Sequence, residues 1–333
     1  MKMYKPAAKP FDPLQMEKTN WTDIRKIGVK MVQMNSIPEK TLEYYKKLTS
    51  IPLSLNNARQ LGGLPLKDGK KVKDGVFLRT TQLYDTTPED IETLRQKYNL
   101  KIIFDMRGDD EIKRFPDPEI EGVKWLHIPI IDFHTMRENI VAKFQGHEAD
   151  IPKIDPSNQE EVINFLILLM LKDLETGDHK GSLAYAEYLQ GKTGQESFGT
   201  FFHEIAALQE GSVLWHCFTG KDRTGIASGL LLDILGADWN TIVTDYEISN
   251  LYFKEKITET ENMLRAKGIA ENIIARMCGS LAGVHITLME EAWKCLKDVW
   301  GGAEGYLIHA CGVSAEELDD IRKRYAVKDS QHI

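Results

Sequence analysis

The stretch His216-Cys217-Phe218-Thr219-Gly220-Lys221-Asp222-Arg223-Thr224-Gly225 decides how the rest of this chain is read. Before it stands an apolar run, Val213, Leu214 and Trp215, with strand character, and after it a run over 226–235 with helical character. A cysteine, five residues and an arginine that close from a strand onto a helix N-terminus build a cradle for a phosphate dianion, with sulfur at its base. Gly220 supplies backbone angles barred to other residues. The planar fork of Arg223 suits two phosphate oxygens at once, and the backbone of Phe218, Thr219, Gly220, Lys221, Asp222 and Arg223 adds N–H donors. The same field favours Cys217 as a thiolate. A free cysteine titrates near ~8.5, and helix N-termini with nearby cations lower that value. Thr224 is placed to donate its hydroxyl to the sulfur, and His216 to fix the loop from below. The expectation is attack by Cys217 on phosphorus, with Arg223 holding the charge that develops.

Other readings of the same residues are weaker. A cysteine after a strand is most often a small buried side chain, but that reading leaves the arginine spacing and the strand–loop–helix context unexplained. A nucleotide-binding loop fails, because Asp222 follows Gly220-Lys221 and Trp215 stands where its first glycine belongs. Sulfur transfer or redox chemistry on a loop of this type would suit Lys221, Asp222 and Thr224 less well than phosphate does, and no resolving cysteine lies near in sequence. A catalytically silent module that captures phosphorylated partners is the remaining alternative. The histidines show no metal-ligand spacing: His203-Glu204 lacks a second histidine, and His127, His285 and His309 are isolated.

Composition narrows the setting. The chain has 333 residues, 42% of them hydrophobic, which is ample for a core. Its net charge of -8, with acids and bases scattered, argues against nucleic acid as a partner. Cys217, Cys278, Cys295 and Cys311 give no disulfide framework, and a catalytic thiolate requires a reducing compartment. Residues 1–17 carry three lysines and three prolines without an apolar run, unlike a secretory signal, and no stretch approaches the ~20 apolar residues of a membrane span. The expectation is a cytoplasmic protein, or an exported one whose leader has been removed, with no stable membrane insertion.

Along the chain the pattern is α/β. Residues 1–50 read as a polar extension with a helix around 38–48, and 51–330 as the main domain. Asp68-Gly69 and Asp74-Gly75 suggest a hairpin, followed by a strand at 76–78. Thr87 caps a helix with Pro88 at its first position, running to about residue 98. A strand at 101–105 ends in Asp105-Met106-Arg107, a charged pair at the functional edge of such a sheet, and a strand at 123–131 delivers Asp132 into a loop. Residues 133–200 read as a helical insertion whose apolar run over 162–174 is a buried helix or a cover for the site. Helices are expected near 198–208, 238–250, 256–267, 270–276, 284–299, 302–310 and 314–325.

The chain resembles the bacterial and fungal tyrosine-phosphatase-like family over about 54–326. Beyond the Cys217 loop, the resemblance rests on Asn57-Ala58-Arg59-Gln60-Leu61-Gly62-Gly63, on Gly75-Val76-Phe77-Leu78-Arg79-Thr80, on Phe104-Asp105-Met106-Arg107 with Glu111, and on Asp245-Tyr246 with Ser249-Asn250. Gly301-Gly302, Tyr306-Leu307 and Gly312-Val313 extend it, while Ala58 and Gln60 depart from the family's usual residues. The resemblance implies a phosphatase fold with a central, mostly parallel sheet flanked by helices. It implies no cofactor and no metal, and substrates that are phosphotyrosine, phosphoserine or phosphothreonine proteins or phosphoinositides. Lys221 and Asp222 in the loop are features of that family. The leaving oxygen needs a proton, and Asp132, which follows Ile128-Pro129-Ile130-Ile131, is the first candidate, ahead of Asp222 and then Asp105. Arg59 and Arg107 add positive field or form ion pairs with Asp105 or Glu111.

Overall fold

Strand β6 (Ser212–His216) is the middle of a five-stranded sheet, and its alternation divides the molecule into layers. Val213 and Trp215 enter one core and Leu214 enters the other, as the two-residue period of a strand requires. Strands β3 (Phe77–Thr80) and β4 (Leu100–Asp105) flank β6 in parallel, and β5 (Lys124–His127) continues in parallel beyond β4. The opposite edge is β1 (Arg59–Gln60), antiparallel to β3. The computed structural model describes residues 34–131, 141, 151, 161, 164–170 and 185–328. This is the α/β architecture expected, a mostly parallel sheet between helices. Strand β5 is shorter than the sequence suggested. Its last bond to β4 runs from the Ile128 N–H to the Asp105 carbonyl at 2.8 Å, and Pro129 follows directly.

Both faces of the sheet are covered, as parallel strands demand. On the larger side lie α4 (Tyr185–Gln190), α5 (Lys192–Ala207) and α6 (Asp222–Leu235), with Phe201, Trp215 and Leu230 fully buried among them. On the smaller side a helix, Pro88–Glu92, begins at Thr87 with a reciprocal capping box to Asp90, and Leu94 and Tyr98 pack against Leu78, Ile103 and Leu214. Helices α7 (Trp239–Tyr252), α8 (Lys254–Ala266), α9 (Glu271–Leu281), α10 (Ile286–Trp300), α11 (Ala303–His309) and α12 (Ala315–Tyr325) fall where the sequence placed them. The helix Glu39–Leu48 packs against α7, and Ser36 and Ile37 donate backbone N–H bonds to Glu247 at 2.8 Å each.

The first Asp-Gly pair makes a tight turn, with φ of 59° at Asp68 and 65° at Gly69, and Leu66 N–H donates to Lys70 at 2.8 Å. The strand that follows, β2 (Lys70–Val72), finds its main partner in a strand the sequence did not suggest, β7 (Ala326–Lys328), antiparallel to it. Next to that clasp, the Tyr325 ring meets Phe77 edge-on at 4.8 Å. Of the expected cover helix, 164–170 is helical, with Ile167 and Leu169 buried, and Ile167 joins a cluster with Ile257, Leu264 and Ile273. The rest of that segment, and Asp132, lie outside the described residues. Among the described residues no single helix is long and apolar enough to cross a membrane.

Candidate active site

The site lies where three parallel strands end together. Thr80 of β3, His216 of β6 and Asp105 of β4 stand in register, so the chain leaves the sheet at Cys217 beside two other strand ends. The loop then turns into α6, whose first turn holds Asp222, Arg223 and Thr224. Gly220 makes that turn possible: its φ is 65°, and a Cβ there would stand 2.2 Å from the Thr80 carbonyl oxygen. Among the described residues, the amides of 218–223 donate to no protein acceptor, which leaves a run of N–H groups around Cys217 at a helix N-terminus.

Cys217 is almost wholly buried. Burial pushes its thiol up, but the Arg223 cation and the hydroxyl and amide of Thr224 outweigh that and bring it below the ordinary thiol value. The buried Thr224 hydroxyl has no other partner among the described residues, as expected of a donor to the sulfur. Arg223 is held from behind by Glu111 of α3 (Asp109–Arg114) in a two-point pair, Nη1 to Oε2 at 2.6 Å and Nη2 to Oε1 at 2.8 Å. Burial opposes the guanidinium charge, yet Glu111 and Cys217 raise its pKa well above the usual arginine value. Burial likewise raises the Glu111 carboxyl, and Arg223 more than reverses that.

Asp222 and Lys221 form a second charged element beside the sulfur. Lys221 Nζ lies 2.8 Å from Asp222 Oδ2, and Asp222 Oδ1 accepts from the Tyr185 hydroxyl at 2.6 Å. Tyr185 is in turn 2.7 Å from the Tyr246 hydroxyl, so a buried polar chain runs from α7 through α4 to the loop. At the rim, Phe218 is partly exposed and meets Phe115 edge-on at 5.5 Å, and Phe115 meets Tyr84 at 5.5 Å.

Beneath the loop are two buried ionic clusters. In one, His216 Nε2 lies 2.9 Å from Asp117 Oδ2 and its Nδ1 3.2 Å from the Cys217 carbonyl. Burial lowers the His216 pKa, but Asp117 and Asp105 more than compensate and raise it. Arg107 pairs with Asp105 at 2.7 Å and with Asp117 at 2.9 Å. The ligand-type atoms of Asp105, Asp117 and His216 do come within 4.8 Å of one another, but this cation already occupies the charge they offer. In the other cluster, Arg59 and Arg79 share Asp245: Arg59 Nε donates to Oδ1 at 2.8 Å and Arg79 Nη1 donates to Oδ2. Asn57 and Arg79 reach the loop itself, donating to the Gly220 carbonyl at 2.9 and 2.7 Å.

Of the residues expected from sequence, the structure gathers Cys217, Phe218, Thr219, Gly220, Lys221, Asp222, Arg223 and Thr224 at one strand-to-helix turn, with His216, Asp105 and Arg107 directly below. Asp105 is fully buried, and both of its carboxylate oxygens accept from Arg107. Arg107 takes Asp105 as its partner, as one expectation held, whereas Arg59 takes Asp245 rather than Asp105 or Glu111, and Glu111 pairs with Arg223. Asp117 and Tyr185 carried no motif at all. Asn57, Arg79 and Asp245 stood inside motifs that the resemblance singled out, without a role, and Glu111 was expected to pair with Arg59 or Arg107 but pairs with Arg223.

A strand-end cysteine whose thiol is held below its ordinary value, an arginine fork and a run of amides without protein acceptors among the described residues thus meet at one strand-to-helix turn. The tyrosine phosphatase family model matches residues 52–327 of the chain. A tyrosine-protein phosphatase of Nostoc commune is 37% identical over 146 residues, 42% of this chain and 47% of that relative, so the chain spans about half the length of that protein. A Cupriavidus necator protein named for tyrosine-protein phosphatase activity is 23% identical over 80% of this chain and 85% of its own length. The triple specificity protein phosphatase PtpB of Mycobacterium tuberculosis is 24% identical over 75% of this chain and 91% of its own. The chain belongs to the tyrosine phosphatase family.

Proposed function

We propose that the protein hydrolyses phosphomonoesters through a cysteinyl-phosphate intermediate, with phosphotyrosine proteins as its first substrate class and phosphoserine, phosphothreonine and phosphoinositides within reach of the same cradle. The observation that carries the reading is the placement of Cys217: a thiol of lowered pKa between the Arg223 guanidinium and the amides of 218–223. The thiolate attacks phosphorus and the bond from phosphorus to the ester oxygen breaks, while Arg223 and the amides stabilise the equatorial oxygens. The leaving oxygen takes a proton from a carboxylic acid. Water then attacks the phosphocysteine and gives a proton to that carboxylate as the phosphorus–sulfur bond breaks, freeing phosphate and restoring both the thiolate and the acid. Asp222, fixed by Lys221 and Tyr185, and Asp132, which follows Ile131 in the sequence, are the two candidates for the proton.

The partly exposed aromatic wall of Phe218, Phe115 and Tyr84 supports an aryl leaving group. The buried second cation, Lys221, supports substrates with more than one anionic group, and the name of the Mycobacterium tuberculosis relative fits a broad range. The need of a thiolate for reducing conditions supports a cytoplasmic setting. The test is turnover of an aryl phosphate in EDTA with inhibition by vanadate. Wild type is expected to turn over and Cys217→Ser to be inert; full activity in Cys217→Ser would end the reading. Comparing Asp132→Asn and Asp222→Asn on substrates with good and poor leaving groups assigns the acid, since loss of the true acid harms the poor leaving group more.

A further inference from the structure

We infer that Asn57 and Arg79 are positioning residues that aim the two apex amides of the cradle, those of Gly220 and Lys221, at the bound phosphate group; the inference rests on the phosphatase reading above and specifies how its oxyanion donors are set. In a trans peptide the C=O of one residue and the N–H of the next point in opposite directions, and no peptide among the described residues is cis. Whatever holds a loop carbonyl outward therefore turns the following amide inward. Asn57 Nδ2 donates to the Thr219 carbonyl at 3.3 Å and to the Gly220 carbonyl at 2.9 Å, and Arg79 Nη2 donates to the Gly220 carbonyl at 2.7 Å. The amides set by these two carbonyls belong to Gly220 and Lys221. Two further carbonyls are held in the same sense, Cys217 by His216 at 3.2 Å and Phe218 by the Gln82 amide at 3.1 Å. Four consecutive carbonyls are thus anchored to the scaffold, and the four amides that follow them point away from those anchors.

The anchors are themselves fixed. Asn57 has φ of 56°, a left-handed conformation that asparagine tolerates better than most residues. Its Oδ1 accepts from Arg59 Nη1, which settles the amide orientation and leaves Nδ2 facing the loop. Arg79 is pinned by Asp245 and by the Ser228 hydroxyl, the latter at 3.0 Å. All of these side chains are buried, so their hydrogen bonds do not compete with water. Two arginines over one aspartate leave this cluster with a net positive charge behind the loop, which adds to the field on the phosphate. None of these side chains is needed to touch substrate; they act through the backbone of the loop.

The experiment measures tungstate affinity by calorimetry on the full chain for wild type, Cys217→Ser, Asn57→Gly and Arg79→Lys. Asn57→Gly keeps the positive φ available and removes the whole side chain, both the Nδ2 donor to the loop and the Oδ1 acceptor of Arg59. Melting temperature identifies the folded variants, and Arg79→Lys serves if Asn57→Gly does not fold. Tungstate binding is expected to weaken by about tenfold or more in each folded variant, with kcat on an aryl phosphate falling alongside it. The pH profile of Cys217 alkylation is expected to move upward in the same variants, because misaimed amides stabilise the thiolate less; a merely loosened scaffold would lower stability and leave both tungstate affinity and that profile in place. A folded Asn57→Gly or Arg79→Lys protein with wild-type tungstate affinity and alkylation profile overturns the inference. Failure of wild type and Cys217→Ser alike to bind tungstate overturns the phosphatase reading beneath it, so the two failures are told apart.

Discussion

Two arginine–carboxylate systems stand on either side of the same loop and behave differently. Arg223 and Glu111 pair at two points, but their side chains keep 11% and 22% exposure, and the guanidinium still faces the cradle. Arg59 and Arg79 share Asp245 with exposures of 0% and 2%, and every group is spent on the interior. The open pair is free to exchange protein for phosphate contacts. The closed one cannot lose a member without stranding a charge in a medium that will not solvate it. The contrast teaches that ion pairing by itself does not assign a residue to chemistry or to scaffold; what decides is whether one face of the pair can still be reached.

The largest expected effect separates the two directly. Arg223→Ala should lower kcat/KM on an aryl phosphate by about a thousandfold or more, while changing stability by about 1 kcal/mol or less. A variant with near-normal turnover would break the comparison. Asp245→Asn should do the reverse in kind, costing about 3–5 kcal/mol of stability because two buried guanidinium groups lose their counter-charge; urea unfolding measures it, and a cost under about 1 kcal/mol would put this cluster in the same class as the open pair.

The pH behaviour sharpens the contrast. Burial raises the Asp245 carboxyl, but Arg59 and Arg79 hold it below the ordinary carboxylate value. Its contribution is therefore fully present above the unfolded value of about 3.9 and is lost as pH falls through the lower folded value. The acid limb of melting temperature against pH should be visibly shallower in Asp245→Asn. At the open pair, the rate of Cys217 alkylation in wild type should reach half its maximum below the free-thiol value of ~8.5, and Arg223→Ala should move that point upward. The smallest effect belongs to Glu111→Gln. It keeps a neutral acceptor behind Arg223, and should change melting behaviour by about 1 kcal/mol or less and KM by a few-fold; a collapse of activity would show that the charge of Glu111, and not only its geometry, sets the Arg223 fork.

The cradle was legible in the sequence because its chemistry is local. Cys217, Gly220, Arg223 and Thr224 lie within eight residues, and one strand-to-helix turn brings them together. The C-terminal helices were legible for the same reason, since period and capping residues are written along each one, as at Ser314 before α12. What could not be read is pairing at a distance. Nothing near Arg59 or Arg79 in the chain names Asp245 as their shared partner, and nothing near His216 names Asp117. Those pairs exist only after the sheet is built. Strand β7 was missed because three residues, Ala326, Val327 and Lys328, carry too little pattern to stand apart from the helix that precedes them. Tyr185 was hidden by its segment: it stands in the stretch 133–200 that reads as a helical insertion, yet its ring is in the main core and its hydroxyl is on Asp222.

The clasp between Lys70–Val72 and Ala326–Lys328 bears on how this chain comes to be assembled. Its halves lie far apart along the sequence, so closing it completes one of the longer-range pairings of the fold. During synthesis, the early strand must wait for nearly everything else to emerge before it finds its mate. Trimming those last residues would leave the segment ahead of Phe77 unclasped, although every residue of the phosphate cradle would still be present.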